Sequence, residues 1–312
     1  MNDFSLNNSF DRMPVLAEYG KTLNPLKQMF GKYIFERSLI HFPAERGTGK
    51  TFLMLQLCIS VAHGAETFCN EPIEIHGNAL YINCELSRDL MARRLSKLYS
   101  SPPFSINEKN GEAFIYTTRQ SFATDRTYIV QRIEELRPVL VVLDNWKTAY
   151  QDIDNNKNKD ATLAVLDLLN LKDKYGFALV VTDHTRKGTK LQLSDSDLQS
   201  GSGAKSDLAD QDFLLRKSCQ NPSFRILKRS KSRICEDATT AKLLRLNPDT
   251  LWFEVEQEEV NEADHLNGDL MAGLDEEALE LAKAMKDKGA SLREIARATG
   301  ISKSALHRQL NK

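Results

Sequence analysis

Nowhere in its 312 residues does the chain carry an apolar run near the roughly 20 that a membrane-spanning helix needs. A helical span is therefore not expected. The opening stretch, Met1 to Tyr19, is polar and lacks a basic start followed by an apolar segment, so it does not read as a signal peptide. Cysteine is scarce and dispersed: Cys58, Cys69, Cys84, Cys219 and Cys235 share no paired metal-ligand spacing. An odd, scattered set excludes a disulfide scaffold and points to free thiols in a reducing compartment, by default the cytoplasm. There is also no excess charge of one sign, with 42 Lys and Arg against 43 Asp and Glu. Whole-chain electrostatics therefore does not mark a nucleic-acid binder.

The local distribution is less even. From Glu254 to Glu277 there are ten acidic residues and no Lys or Arg, whereas Leu281 to Lys312 holds eight Lys or Arg against Asp287 and Glu294. That contrast reads either as a linker followed by a module with its own partner, or as a solvated surface.

Between about residues 38 and 182, short apolar runs alternate with helical patterns. Ser38–Phe42, Ala79–Asn83, Ala113–Thr117, Val139–Leu143 and Ala178–Thr182 are apolar on successive residues, as buried strands are. Lys50–Ala62, Asp89–Tyr99, Tyr128–Leu136 and Lys159–Lys174 lie between them with apolar residues at helical spacing. The order implies an α/β fold, a mainly parallel twisted sheet flanked by helices. Four further strands are expected at Asp212–Arg216, Phe224–Leu227, Lys242–Leu246 and Leu251–Val255. The expected organisation is an N-terminal arm (1–23), a large α/β domain (24–257), an acidic linker (258–274) and a small all-α domain (275–312). In the last, Glu276–Asp287 is helical, Ser291 and Glu294 form a capping box for Leu292–Thr299, and Ser302 caps Lys303–Leu310 beyond Gly300.

Ala44-Glu45-Arg46-Gly47-Thr48-Gly49-Lys50-Thr51 follows a strand and opens a helix, the context a phosphate-binding loop requires. Small residues let successive N–H groups point inward, and the helix N-terminus adds partial positive charge. Lys50 would neutralise the β- and γ-phosphates of ATP, and Thr51 would help hold Mg²⁺. Ala44 stands where the first Gly is usual. Asp144 closes an apolar strand and suits the metal side of such a site, or caps the next segment. Glu85, also at a strand end, suits a general base or caps the helix that follows. His184, just past another strand, suits a group sensing the γ-phosphate or a capping residue.

Together these residues resemble the RecA-like ATPase family, in particular its compact branch that includes plasmid-encoded hexameric replicative helicases. The resemblance spans Asn24 to Glu256. It rests on Glu45–Thr51, Tyr81-Ile82-Asn83-Cys84-Glu85, Leu143-Asp144, His184-Thr185-Arg186-Lys187-Gly188 and the Gly/Ser segment Gly201–Asp207. It implies Glu85 as catalytic base, Asp144 as magnesium-side acid, His184 as nucleotide sensor, and a homo-oligomer in the form of a hexameric ring or a filament.

The resemblance further implies fingers reaching a neighbour's nucleotide, with Lys228, Lys231 and Arg233 as candidates, although a solvated basic turn fits that stretch equally. It places Arg186, Lys187, Lys190 and Lys205 on a loop able to touch single-stranded DNA, unless that loop is a lid. Ser291–Leu310 resembles the helix-turn-helix of resolvases and many regulators, putting Lys303, Ser304, His307 and Arg308 on a recognition helix for duplex DNA. Docking of a protein is the alternative. The expected function is an ATP-hydrolysing motor on DNA, a replicative helicase or remodelling ATPase of a plasmid, phage or mobile element. The rivals are a DNA-binding ATPase that uses nucleotide as an assembly switch, and a phosphate-loop kinase, for which no acceptor site is evident.

Overall fold

The computed structural model describes residues 10–154, 157–185, 203–236, 238–266 and 276–299. The chain divides into two compact units, Met1–Lys217 with Ser223–Glu262, and Ser218–Pro222 with Ala263–Lys312.

The first unit is built on a 9-stranded sheet. Its strands are β3 (Leu39–Ala44), β6 (Ala79–Asn83), β7 (Ala113–Thr117), β8 (Leu140–Asp144), β9 (Ala178–His184), β10 (Gln211–Lys217), β11 (Phe224–Ser232), β12 (Ala241–Leu246) and β13 (Phe253–Val260). Two small ribbons pair β1 (Gln28–Phe30) with β2 (Ile34–Phe35), and β4 (Thr67–Phe68) with β5 (Glu71–Pro72). The spatial order is β13-β12-β11-β10-β3-β9-β8-β6-β7. From β10 to β7 neighbouring strands run parallel, while β11, β12 and β13 extend the sheet as an antiparallel meander.

Parallel strands need crossovers, and the connecting helices cover both faces. One face packs under α2 (Lys50–His63) and α3 (Arg88–Ser100) with Phe42, Leu53, Leu57, Tyr81 and Leu98. The other packs under α4 (Phe122–Leu136), α5 (Trp146–Ala149) and α6 (Asn158–Tyr175) with Ile82, Ile129, Leu143, Trp146 and Val165. Each such buried side chain contributes about 1.5–3 kcal/mol. α1 (Met13–Thr22) buries none of its residues.

The expected α/β sheet is present, with strand bounds shifted by a residue or two in most elements. Three differences are larger. α4 starts at Phe122 rather than Tyr128, because Ser121 caps it through Thr124 N. β11 continues through Ser232, so the stretch read as a basic turn is strand. Several of the acidic residues counted from Glu254 lie in β13, where Arg245 pairs Glu254 and Glu256 across the ladder. The two ribbons are not legible in the sequence because strands this short carry no readable period.

A charged cluster lies beneath the sheet. His41 sits 3.9 Å from both Asp183 Oδ2 and Asp212 Oδ1, and is 2% exposed. Lys205, on α7 (Ala204–Leu208), pairs with Asp183, and Ser206 donates to Asp212. Burial alone would strip His41 of its proton, but the two carboxylates outweigh it and hold its pKa above 6.5. A raised folded pKa stabilises fully below the unfolded value and is lost as pH rises through the folded one. Stability should therefore fall, and the thermal midpoint with it, as pH is raised above about 6.5. His41→Gln should flatten that limb. His63 and His184, whose pKa values burial lowers, act in the opposite sense below 6.5, so the limbs separate in a pH series of melting curves.

In the second unit, the backbone N–H of Cys219 donates to the His265 carbonyl (2.8 Å) at the end of α8 (Glu262–Leu266). α9 (Glu276–Asp287) and α10 (Leu292–Thr299) follow, with Ala282 and Ile295 buried. Glu294 accepts from Ser291 N (2.9 Å) while Ser291 Oγ accepts from Glu294 N (3.4 Å), the capping box read from the sequence. Gly300 and the expected helix Lys303–Leu310 lie outside the described residues.

Candidate nucleotide site

The loop between β3 and α2 is shaped by two left-handed glycines, Gly47 (φ 72°) and Gly49 (φ 99°). A Cβ at Gly49 would come within 2.9 Å of the Phe253 ring, so close approach and backbone angle both demand glycine there. Ala44, the irregular first position, is the last residue of β3, buried and paired with His184 and Leu215 in the neighbouring strands. It takes no left-handed angle, so alanine is accommodated. Glu45 and Arg46 are exposed, while Thr48 is buried and its hydroxyl donates to the Glu45 carbonyl (2.9 Å). Arg225 on β11 donates through Nε to the Thr48 carbonyl (2.7 Å) and braces the loop from behind. A Cβ at Gly47 would stand 3.6 Å from the Lys217 ammonium, which places a further cation beside the loop.

Adjacent strands β3, β9, β8 and β6 deliver the remaining groups to the carboxyl edge of the sheet, where open α/β sheets bind ligands. Asp144 is not on the immediate neighbour of β3; β9 lies between them. Asp144 is nonetheless reached by Thr51, whose hydroxyl donates to Oδ2 at 2.8 Å. Tyr81 also donates to Oδ2, and Thr182 donates to Oδ1 at 2.6 Å. Burial and the Asp144 charge push the Tyr81 phenol well above its usual pKa, so it stays a donor.

Lys50 is buried, which lowers its pKa even though Asp144 and Glu85 oppose the shift. Its ammonium lies 3.1 Å from His184 Nδ1. An ammonium only donates, so Nδ1 is the acceptor. Burial and the Lys50 charge lower the His184 pKa, and the single proton of the neutral ring then sits on Nε2, 4.0 Å from Glu85 Oε1. Asn145 donates to Glu85 Oε2 at 2.8 Å. Arg46, Glu85, Asn145, Lys147, Thr148, Gln151 and His184 line a cleft of about 310 Å³ beside the loop.

Not all the sequence-derived positions gather here. Lys228 pairs with Glu262 at 2.6 Å. Lys231 donates to the carbonyls of Ser206 and Ala209, and Arg233 to that of Asp207. Register pairs Arg225 with Lys217 and Ser232 with Gln211, so Lys231 and Arg233 sit at the sheet edge away from the phosphate loop. Lys205 corrects an expectation. It is no loop cation facing nucleic acid but is 4% exposed, paired with Asp183 and 5.5 Å from the Trp146 ring. Arg186, Lys187, Lys190, Lys303, Ser304, His307 and Arg308 lie outside the described residues.

Asn145, Tyr81, Thr182, Arg225 and Lys217 went unread in the sequence. Asn145 and Arg225 left a faint signal, a polar residue directly after a strand-ending acid and a charge inside an apolar strand. The others look like ordinary strand residues.

The arrangement fits a Mg²⁺-bound triphosphate. A cradle that a Cβ would fill, a buried ammonium and a hydroxyl paired with a carboxylate converge at a helix N-terminus. Among the described residues no group of three or more His, Cys, Asp or Glu side chains is placed to hold a metal ion by itself. Mg²⁺ takes one or two protein oxygens and completes its shell with phosphates and water, and Thr51 and Asp144 could supply those oxygens.

Sheet order and loop define a RecA-like fold with a phosphate-binding loop. The family model of an AAA domain matches residues 8–190, more than half of the chain, and the chain belongs to that family. No curated protein matches it in sequence. Among solved structures it is similar to a KaiC-like protein of the hyperthermophilic archaeon Pyrococcus horikoshii OT3, with 14% identity and a TM-score of 0.53. That likeness covers 75% of this chain and 99% of the other. At such identity it concerns the fold alone. Among the described residues no helix is long and apolar enough to cross a membrane.

Proposed function

We propose that the protein hydrolyses MgATP and, as a homo-oligomer, couples hydrolysis to work on DNA as a helicase or remodelling motor. The observation that carries the hydrolytic part is the meeting of Glu85, His184, Lys50, Thr51 and Asp144 at one sheet edge, beside an open polar cleft.

In this reading Lys50 and the loop amides from Gly47 to Thr51 bind the phosphates. Thr51 and Asp144 hold Mg²⁺, which when bound draws charge from the phosphate oxygens. Glu85 accepts the proton of the attacking water. His184 lies against both Lys50 and Glu85, so its ring moves with the phosphate end of the site. The strand carrying it leads directly into the segment from Arg186 onward, which gives phosphate contacts a covalent route to that segment. The work on DNA rests on the resemblance to hexameric helicases and on the basic C-terminal stretch, whose helices α9 and α10 precede the proposed recognition residues Lys303, Ser304, His307 and Arg308. Lys228, Lys231 and Arg233 remain the proposed trans-acting set, and each would have to leave its own-chain partner to act there.

The test is ATP turnover with and without single-stranded DNA, run beside a strand-displacement assay. Stimulation of several-fold with displacement supports the motor. Nucleotide-dependent assembly with no displacement in any oligomer-forming condition removes the helicase and leaves the assembly switch. Deleting residues 274–312 should weaken duplex binding and spare basal turnover; unchanged duplex binding would overturn the role of the tail.

A further inference from the structure

Asn145 stands one residue past Asp144, is 1% exposed, and uses the two ends of its amide differently. Its Oδ1 accepts the backbone N–H of Thr148 at 3.1 Å and so caps α5. A backbone N–H can only donate, so the oxygen must face it and the amide cannot be turned over. Nδ2 is thereby aimed into the cleft, where it meets Glu85 Oε2 at 2.8 Å. In the tautomer that Lys50 imposes on His184, the 3.3 Å approach of Nδ2 to His184 Nε2 is a packing contact and does not compete for the proton of Nδ2.

Glu85 needs such a partner. Its side chain is 45% exposed and lies just beyond the end of β6. A half-exposed carboxylate on a long side chain samples several rotamers, and only a few point an oxygen toward a nucleophile in the cleft. The bond from Asn145 takes one oxygen and leaves Oε1 facing the Nε2–H of His184.

We propose that Asn145 is a positioning residue for hydrolysis: it pins Oε2 of Glu85 so that Oε1 is presented to the attacking water. This rests on the reading of Glu85 as the base. The donor itself is held in place because its oxygen is committed to the cap of α5 and the residue is buried. Strand end, helix cap and base are thus linked through one amide.

Asn145→Ser separates positioning from folding. Serine keeps an oxygen able to cap α5 but cannot reach Glu85 with an N–H. Steady-state turnover of the full chain with MgATP should show kcat lowered by about 10–100-fold, with KM changed by less than about threefold and an unaltered melting curve. Asn145→Asp, which keeps the cap but sets a second carboxylate against Glu85, should lose at least as much. In a Glu85→Gln background, Asn145→Ser should lower the residual turnover no further.

A kcat for Asn145→Ser within about twofold of the parent overturns the proposal. So does a loss of the same size in the Glu85→Gln background, or a rise in KM at constant kcat. More than about a tenth of the parent turnover in Glu85→Gln alone overturns the base reading and the Asn145 assignment with it, whereas a larger loss there beside an unaffected Asn145→Ser removes only Asn145.

Discussion

Glu85→Gln should lower ATP turnover by about 10²–10⁴-fold while leaving nucleotide affinity within about threefold. The substitution keeps the size of the side chain and an oxygen able to accept from Asn145 Nδ2, so the cleft wall stays in place. It removes the proton acceptor. The groups that would hold the phosphates are separate from it: Lys50 meets His184, and Thr51 meets Asp144, with no direct bond to Glu85. Binding measured with a fluorescent nucleotide and turnover measured by phosphate release should therefore part company. Asp144→Asn sets the contrast. It disturbs the acceptor of Thr51, Tyr81 and Thr182 together, so binding and folding should suffer with turnover. Retention of more than about a tenth of the parent turnover in Glu85→Gln would sink Glu85 as base.

The phosphate loop was legible because its chemistry is contiguous: strand, glycines, Lys50, Thr51 and helix follow in one run of chain. The strand ends were legible for a related reason. A buried parallel strand is apolar on every residue, so a terminal acid such as Asp144 or Glu85 stands out against it. The supporting groups were not. Tyr81 and Thr182 are ordinary strand residues until the sheet order brings β6, β8 and β9 side by side and turns both hydroxyls onto Asp144. Arg225 reaches Thr48 across 177 positions of sequence. Helix α10 was readable from its cap, since the Ser291–Glu294 capping box is a local code. The burial of Lys205 is not legible because its neighbours Gly203 and Ser206 are loop-like, and nothing nearby in the sequence announces Asp183 as its partner.

Lys205→Met should destabilise the folded protein by about 3–5 kcal/mol, the usual cost of leaving one member of a buried ion pair unpaired. Both side chains are nearly sealed, Lys205 at 4% exposure and Asp183 at 3%. Asp183 is held ionised: burial opposes its charge, but His41 and Lys205 outweigh burial and lower its pKa. Without Lys205 the carboxylate keeps the backbone N–H of His184 and, 3.9 Å away, the His41 ring. The double substitution Lys205→Met with Asp183→Asn removes both charges, so it should recover a substantial part of the loss, and the coupling should be read from a double-mutant cycle in denaturant. Turnover should respond as well, because Asp183 Oδ1 accepts the backbone N–H of His184 at 2.7 Å and fixes the end of β9 where it meets Lys50. A surface cation on a DNA-facing loop predicts the reverse pattern, with the denaturation midpoint unmoved and only DNA affinity lowered. An unchanged midpoint for Lys205→Met would therefore return this residue to the nucleic-acid surface and remove the buried cluster as a tie between the phosphate end of the site and α7.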